Sequence, residues 1–449
     1  MTKNFSEIWI KIPNILLPKK DIDLNKRAVV ACDQYTSEPE YREEVARNVW
    51  DNPSTLNIIY PEVYLEESDK PERIAKIQEN MAKYINEWFL EDHWECLILV
   101  DRKTSHTNSR KWLILALDLE AYDYSPDSQT LIRATEWTVI DRLPPRIQIR
   151  KDANIESPHI MVLIDDENRT VIEPLFENIS NYEKVYDTEL MMNWWHIKWY
   201  KINDNQSISQ IISAITNLGR KDVFQNKYKV WDEKWVLLFA MWDGNHSLAT
   251  AKAIREEKKE NLTEEEKLDH PSRFALVEIV NVHDEWLEFE PIHRVLFNVN
   301  SETLFWEMSD SASINWSSIS IQLFESREEM KSNTRKSDTN NHNIDFVYEW
   351  KYWILTIQNP KLNLEVGNLQ YLLDDYLRNH PESKIDYVHW KETTEKLAIQ
   401  KWNIWFRLPI MNKKDFFKTV VIDWVLPRKT FSMWESEEKR FYLECRKIK

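Results

Sequence analysis

Glycine is nearly absent from this chain. The 449 residues contain 3, where the usual share of about 7% would supply roughly 30. Only glycine takes a positive φ without steric cost, so a chain with many turns has lost its ordinary means of making them. Cysteine is as scarce: Cys32, Cys96 and Cys445 are widely spaced, which excludes a disulfide framework and a zinc pattern and points to a reducing cytoplasm. The N-terminus lacks a charged-then-apolar signal pattern, and no apolar run approaches the ~18 residues that span a bilayer. No Walker-type glycine loop, kinase-like catalytic loop, Gly-x-Ser-x-Gly elbow or Cys-x-x-Cys pair occurs. Positive charge is in the minority, 59 Lys and Arg against 75 Asp and Glu for a net −16. That balance argues against nucleic acid or an anionic membrane as a partner and leaves a small molecule as the expected ligand, with oligomeric state open.

Tryptophan is the matching excess, at 22 residues. Its placement is odd. Trp50 precedes Asp51-Asn52-Pro53, Trp137 stands between Glu136 and Thr138, and Trp242 directly precedes Asp243-Gly244. Trp194 and Trp195 are adjacent, and Trp353 falls in a hairpin region. These are turn contexts, where an indole has no obvious use and a glycine does. Some bacterial lineages read UGA as glycine, and a translation table that reads it as tryptophan would turn one into the other. We therefore expect many of these tryptophans to stand for glycine. The alternative is a true Trp-rich binder of carbohydrate or aromatic ligands.

Length and an apolar content of 42% allow two domains, each with its own core. Strand-like and helix-like runs alternate, giving an expected α+β fold of mixed sheets with packed helices. Buried strands are expected over Arg27–Cys32, Glu95–Val100, Trp112–Leu119, His159–Ile164 and Arg273–Asn281. Helical spacing marks Glu67–Leu90, Ser207–Asn217, Leu248–Lys259 and Val366–Asn379, and Phe346–Gln358 alternates like a hairpin. Residues 326–345 are polar and read as a flexible excursion between a main domain, 1–325, and a C-terminal α+β region, 346–449, packed on it.

Chemistry concentrates at Asp243-Gly244-Asn245-His246-Ser247, between an apolar run and a helix. A strand, a short glycine turn and a helix start gather main-chain N–H groups where the helix dipole favours negative charge. Gly244 permits close approach, Asn245, His246 and Ser247 offer donors, and Asp243 suits a metal ion or a substrate hydroxyl. A plain capped turn with a surface histidine remains open on spacing alone. Arg133, Arg142 and Arg146 flank a Pro-Pro corner with Glu136 and suit an anion clamp with a buried general base, or else solvated ion pairs. His283, His293 and their acidic neighbours show no regular metal spacing and read as structural. Asp33 to Ser37 reads as a turn just beyond a strand end.

Several segments resemble the family catalogued as domain of unknown function 1015. They are Val29–Tyr41, Pro53–Glu66, Leu131–Arg150, Met241–Lys252, Ala275–Phe297 and Asp423–Glu435. The chain departs from the family pattern chiefly by tryptophan where glycine is expected, at Trp137, Trp242 and Trp286. It also carries Asn245-His246-Ser247 where many members have His-His-Arg, so no guanidinium stands at Ser247. The signature is similar to that of the ParB-like superfamily, which includes free L-serine kinases. The resemblance implies a loop that holds donor phosphates, with Asp243, Gly244 and His246 matching the signature's positions. It further implies a phosphotransferase acting on a small hydroxyl compound such as L-serine, with a nucleotide or pyrophosphate donor and Mg²⁺ at Asp243. Asn245, Ser247, Arg133, Arg142 and Arg146 would bind phosphate, and Glu136 would take the proton. A non-catalytic nucleotide- or effector-binding regulator is the alternative.

Overall fold

The computed structural model describes residues 4–87, 89–125, 127–193, 195–231, 234–389, 402–432, 439 and 441–449. Trp194 and the end of the last family-like segment, Met433 to Glu435, lie outside them. The chain is α+β and forms two compact units, one of Met1–Leu287 with Trp434–Lys449 and one of Glu288–Met433.

The first unit is built on a mixed sheet. Its main strands are β1 (Leu97–Lys103), β2 (Arg110–Asp118), β3 (Tyr122–Asp123), β4 (Ile132–Ala134), β5 (Ile160–Ile164), β6 (Glu183–Glu189), β7 (His196–Ile202), β8 (Phe239–Asp243) and β9 (Phe274–Asn281). They lie in the order β6-β7-β1-β2-β9-β5-β8-β4-β3, and a short N-terminal pair joins β2. The pairs β9/β5, β8/β4 and β4/β3 are parallel, the others antiparallel. The near-continuous apolar runs of β5 and β9 are explained by burial along their whole length, as expected for central strands covered on both faces. Edge strand β6 alternates towards solvent instead. The helices used below are α1 (Lys70–Asn86), α2 (Leu143–Arg150), α3 (Asn205–Leu218) and α4 (Asn245–Lys259).

The last residues return to this unit. Phe441–Tyr442 pairs with Val29–Val30, and Arg446–Lys447 pairs with Ile155–Glu156. In the second unit, β10 (His293–Phe297), β11 (Ser318–Phe324), β12 (Asn341–Tyr348), β13 (Lys351–Gln358), β14 (Lys384–Val388) and β15 (Ile404–Arg407) form an antiparallel sheet in the order β11-β13-β12-β15-β10-β14.

The boundary therefore falls at residue 287 rather than 325. The reason is β10, whose apolar residues bond to β14 and β15. Residues 326–345 likewise carry structure: Ser326 caps a helix over Arg327–Asn333, and β12 begins at Asn341. They connect strands within the second unit. Among the described residues, no helix is long and apolar enough to cross a membrane.

Among the described residues, eight of the seventeen non-glycine residues with positive φ are tryptophans: Trp9, Trp50, Trp94, Trp195, Trp316, Trp350, Trp402 and Trp424. Trp50 and Trp424 sit at the C-caps of helices, a position where a left-handed glycine usually ends the helix. In the β12–β13 hairpin the register pairs Tyr348 with Lys351. That leaves Glu349 (φ 47°) and Trp350 (φ 65°) as the two-residue loop, a turn whose second position is normally glycine. Trp353, expected at the turn, lies within β13. Trp137, Trp242 and Trp286 are not among the positive-φ residues.

Candidate functional site

Strand β8 ends at Asp243 and α4 begins at Asn245, so one residue makes the turn. Gly244 does it with φ +80°, and no side chain caps the helix behind it. A Cβ at this position would lie 3.0 Å from the Cα of Ile160 and 3.2 Å from its Cγ1. The turn therefore depends on glycine for both its dihedral and its contact with the start of β5. Gly244→Ala is expected to lower stability by about 1–2 kcal/mol from the left-handed strain and more from the contact, read as a fall in the urea midpoint.

The parallel pairing of β8 with β4 brings the ends of both strands together. Thr135 donates its N–H and hydroxyl to the Met241 carbonyl at 3.2 and 2.8 Å. The next residues then reach Asn245, whose Nδ2 donates to the Glu136 carbonyl at 3.1 Å and whose Oδ1 accepts from Thr138 at 3.2 Å. Asn245 thus holds the neighbouring loop, and its side chain is turned away from the helix axis. Glu136 was expected buried; its side chain is exposed, and its main chain is what meets the Asp243 loop. The short β4 ends in a surface turn, in which Glu136 and Trp137 are both exposed.

Asp243 is half-buried. Its Oδ2 accepts from Lys439 Nζ at 2.6 Å and its Oδ1 from the Gly244 N–H at 3.0 Å. Burial alone would raise its pKa, but Lys439 outweighs that, and the carboxyl is held below its ordinary range. Lys439 answers in kind: burial works against its charge, yet Asp243 and Asp33 raise its pKa. Asp33 Oδ1 is itself buried without a hydrogen-bond partner. In the sequence Asp33 reads only as part of a turn and Lys439 carries no signal, because nothing local ties either residue to Asp243.

Ser247 Oγ and His159 Nε2 lie 2.6 Å apart, and the His159 ring meets Tyr442 edge-on. His246 is held below the usual imidazole range by burial, then by the positive charges of Arg146 and Arg142. It is therefore neutral at neutral pH, with Nε2 buried and unpartnered. Cys32 is pushed up to about 12, first by burial and then by the charges of Asp33 and Glu62, so it remains a thiol and is unsuited to nucleophilic chemistry.

Of the three arginines expected as clamps, Arg133 parts from the other two, which both act on His246. Arg133 is buried and gives its Nε to the Thr130 carbonyl at 3.0 Å and its Nη2 to the Trp235 carbonyl at 2.7 Å. Burial brings its pKa down to about 10, and it braces the main chain rather than facing the loop. Arg142 is exposed, and its charge reaches His246. Arg146 forms a two-pronged pair with Glu62, at 2.9 and 2.5 Å. His283 pairs with Asp165 at 2.5 Å and His293 Nδ1 accepts from the Leu408 N–H at 3.2 Å, so both imidazoles are structural.

A cavity of about 140 Å³ lies against this group, and its polar lining includes His159, Ser247, Thr250, Cys32, Glu62 and Arg146. Glu156, also in the lining, is bound by Arg150 and by both Nε and Nη2 of Arg446, at 2.8 and 2.6 Å. Burial would raise its pKa, but Arg446 and Arg150 bring it down to about 2. A carboxylate depressed on folding stabilises the native state above its unfolded pKa of about 4.5, and that contribution disappears as pH falls towards 2. Glu156→Gln leaves Arg446 buried without its counter-charge. We expect a loss of about 3–5 kcal/mol at neutral pH that narrows on acidification through this window, measured by denaturant titration at several pH values.

The fold and this site define an α+β protein with a strand–glycine–helix turn beside a small cavity. The chain belongs to the family of proteins of unknown function DUF1015, whose sequence model matches residues 16–376. No curated protein matches it. Among solved structures it is similar to a mutant of free serine kinase in complex with AMP, with TM-score 0.37, 11% identity, and coverage of 75% of this chain and 92% of that one. It is also similar to a conserved hypothetical protein from Pyrococcus furiosus, with TM-score 0.32, 10% identity and coverage of 75% and 95%. A third is C-terminally truncated SbnI from Staphylococcus aureus, with TM-score 0.31, 10% identity and coverage of 71% and 82%.

Proposed function

We propose that this protein is a phosphotransferase that moves a phosphoryl group from a nucleotide or pyrophosphate to a small hydroxyl compound; the loop signature alone implies L-serine, and the apolar lining of the adjoining cavity argues for a less polar alcohol. The observation that carries the reading is the uncapped start of α4 set beside the Asp243–Lys439 pair, with Asp33 acting on the same lysine. Phosphoryl transfer asks a protein mainly for positioning and charge neutralisation. The first N–H groups of α4, with His246 and Ser247, would hold the donor phosphates, and Lys439 would offset charge as it shifts to the leaving oxygen. The acceptor oxygen bonds to the terminal phosphorus, the phosphorus–oxygen anhydride bond breaks, and the shortened donor leaves as an anion. The hydroxyl proton passes to a carboxylate. Asp33, half-buried with its Oδ1 enclosed and unpartnered, is better placed for it than the exposed Glu136, and Asp243 orients the acceptor. The ParB-like assignment of the loop belongs to the same proposal.

Magnesium at Asp243 fits these residues poorly. Both carboxylate oxygens are already engaged by N–H donors, Mg²⁺ demands an octahedral shell of oxygens, and no group of three His, Cys, Asp or Glu suited to a metal occurs among the described residues. No step is routed through the ion. The test is direct: incubate purified protein with serine and other small alcohols, supply ATP, ADP or pyrophosphate, and look for the phosphomonoester. Donor binding with no product for any acceptor would favour the regulatory alternative.

We further propose that the tryptophans at positive φ are glycines in the living protein, encoded by UGA. Their support is the backbone itself: left-handed turns at helix ends and in the Glu349-Trp350 hairpin are glycine positions by steric necessity. Sequencing the coding DNA decides it, since UGG at Trp50, Trp350 and Trp424 would end the idea.

A further inference from the structure

We propose that the cavity beside Ser247 takes a hydrocarbon group, so that the acceptor of this site is a small alcohol carrying a benzyl- or isobutyl-sized substituent. Assigning that group to an acceptor rests on the phosphotransfer reading; assigning the cavity to an apolar ligand does not. One wall is made by Ile58, Tyr60, Ile77, Met81, Ile149 and Ile155, brought together from the segment before α1, from α1, from α2 and from the strand before β5. Tyr60 carries the one hydroxyl on this wall, and it already donates to the Tyr64 carbonyl at 2.9 Å.

A purine edge, or the ammonium and carboxylate of an amino acid, laid against such a wall would lose its hydrogen bonds to water and find none in return. A hydrocarbon gives up nothing of that kind and gains by leaving water. Size points the same way: the cavity is about 140 Å³, and an apolar cavity of about 150 Å³ holds a benzene molecule. Among the described residues, the four charged side chains of the lining form two ion pairs, Glu62 with Arg146 and Glu156 with Arg150, so a neutral ligand is favoured over an ion. The lining also carries His159 and Ser247, 2.6 Å apart, and Ser247 belongs to the first turn of α4. A ligand with its hydrocarbon on the isoleucine wall therefore presents its polar end to the helix start. Among the described residues no tryptophan lines this cavity, so the left-handed tryptophans do not bear on its lining.

Calorimetric titration of the full chain with benzyl alcohol, isoamyl alcohol, glycerol and L-serine, and separately with inorganic pyrophosphate, tests the assignment. Benzyl and isoamyl alcohol are expected to bind; glycerol and L-serine are not. Ala153→Leu, which places a larger side chain in the lining, is expected to weaken benzyl alcohol by about tenfold or more and leave pyrophosphate unchanged. Ile77→Val, a mild change that keeps the fold should Ala153→Leu not, is expected to shift preference towards the larger benzyl alcohol. Serine or glycerol binding as tightly as benzyl alcohol overturns the proposal, as does unchanged benzyl alcohol affinity in a folded Ala153→Leu. Pyrophosphate binding without apolar binding sinks the cavity assignment alone. Apolar binding without pyrophosphate supports the cavity and removes pyrophosphate as the donor, while absence of phosphomonoester with every donor removes the phosphotransfer reading.

Discussion

Glycine substituted for Trp50, Trp94, Trp316 and Trp350, and then for Trp9, Trp195, Trp402 and Trp424, stabilises the protein. A non-glycine residue in the left-handed region costs about 1–2 kcal/mol. Glycine returns about 0.4–1 kcal/mol of that through the greater freedom of the unfolded chain, leaving a net gain of about 0.5–1 kcal/mol per site. Little packing is lost in exchange, because Trp50 is 83% exposed and Trp316 is 91% exposed. Four of the eight positions fall in each compact unit, and sites that share no contacts add. Each unit should therefore gain about 2–4 kcal/mol, read as a higher urea midpoint at unchanged slope. The sign reverses at Trp112 and Trp199, which are buried, where glycine should cost about 3–5 kcal/mol as a large side chain leaves a cavity. Equal losses at both sets of positions would show that these indoles are genuine and packed where they belong.

Asp243→Asn should abolish transfer while donor binding survives. The amide oxygen still accepts from the Gly244 N–H, so the turn keeps its shape, but the counter-charge of Lys439 is gone. Removing one preorganised electrostatic group commonly costs about 10²–10³ in rate. Taking a negative charge from beside an anion site should at the same time tighten pyrophosphate binding. A merely structural Asp243 would lose both together, so the split between turnover and binding is diagnostic. Lys439 left unpaired will also lower stability, and the double variant Asp243→Asn with Lys439→Met should recover the melting temperature without recovering turnover. Turnover close to wild type in folded Asp243→Asn would remove this residue from the mechanism.

Much of the local structure was legible in the sequence. The apolar runs of β5 and β9, the helical spacing of α1, α3 and α4, and the glycine turn after Asp243 follow from periods and steric limits that act within a few residues. Of the turn tryptophans singled out in the sequence, Trp50 and Trp195 have positive φ, whereas Trp137, Trp242 and Trp286 do not and Trp353 lies within a strand. Tertiary structure alone decided which charges meet. Arg146 is spent on Glu62, 84 residues away, and Arg133 on the Trp235 carbonyl. Lys439 comes from the chain's last residues to Asp243, 196 positions earlier, and Arg446 likewise reaches Glu156. The boundary at residue 287 was hidden in the same way, since it depends on the strands with which β10 pairs. Periodicity records what a residue does for its own helix or strand; ion pairs and strand order are settled by burial and charge between segments that become neighbours only when the chain is folded.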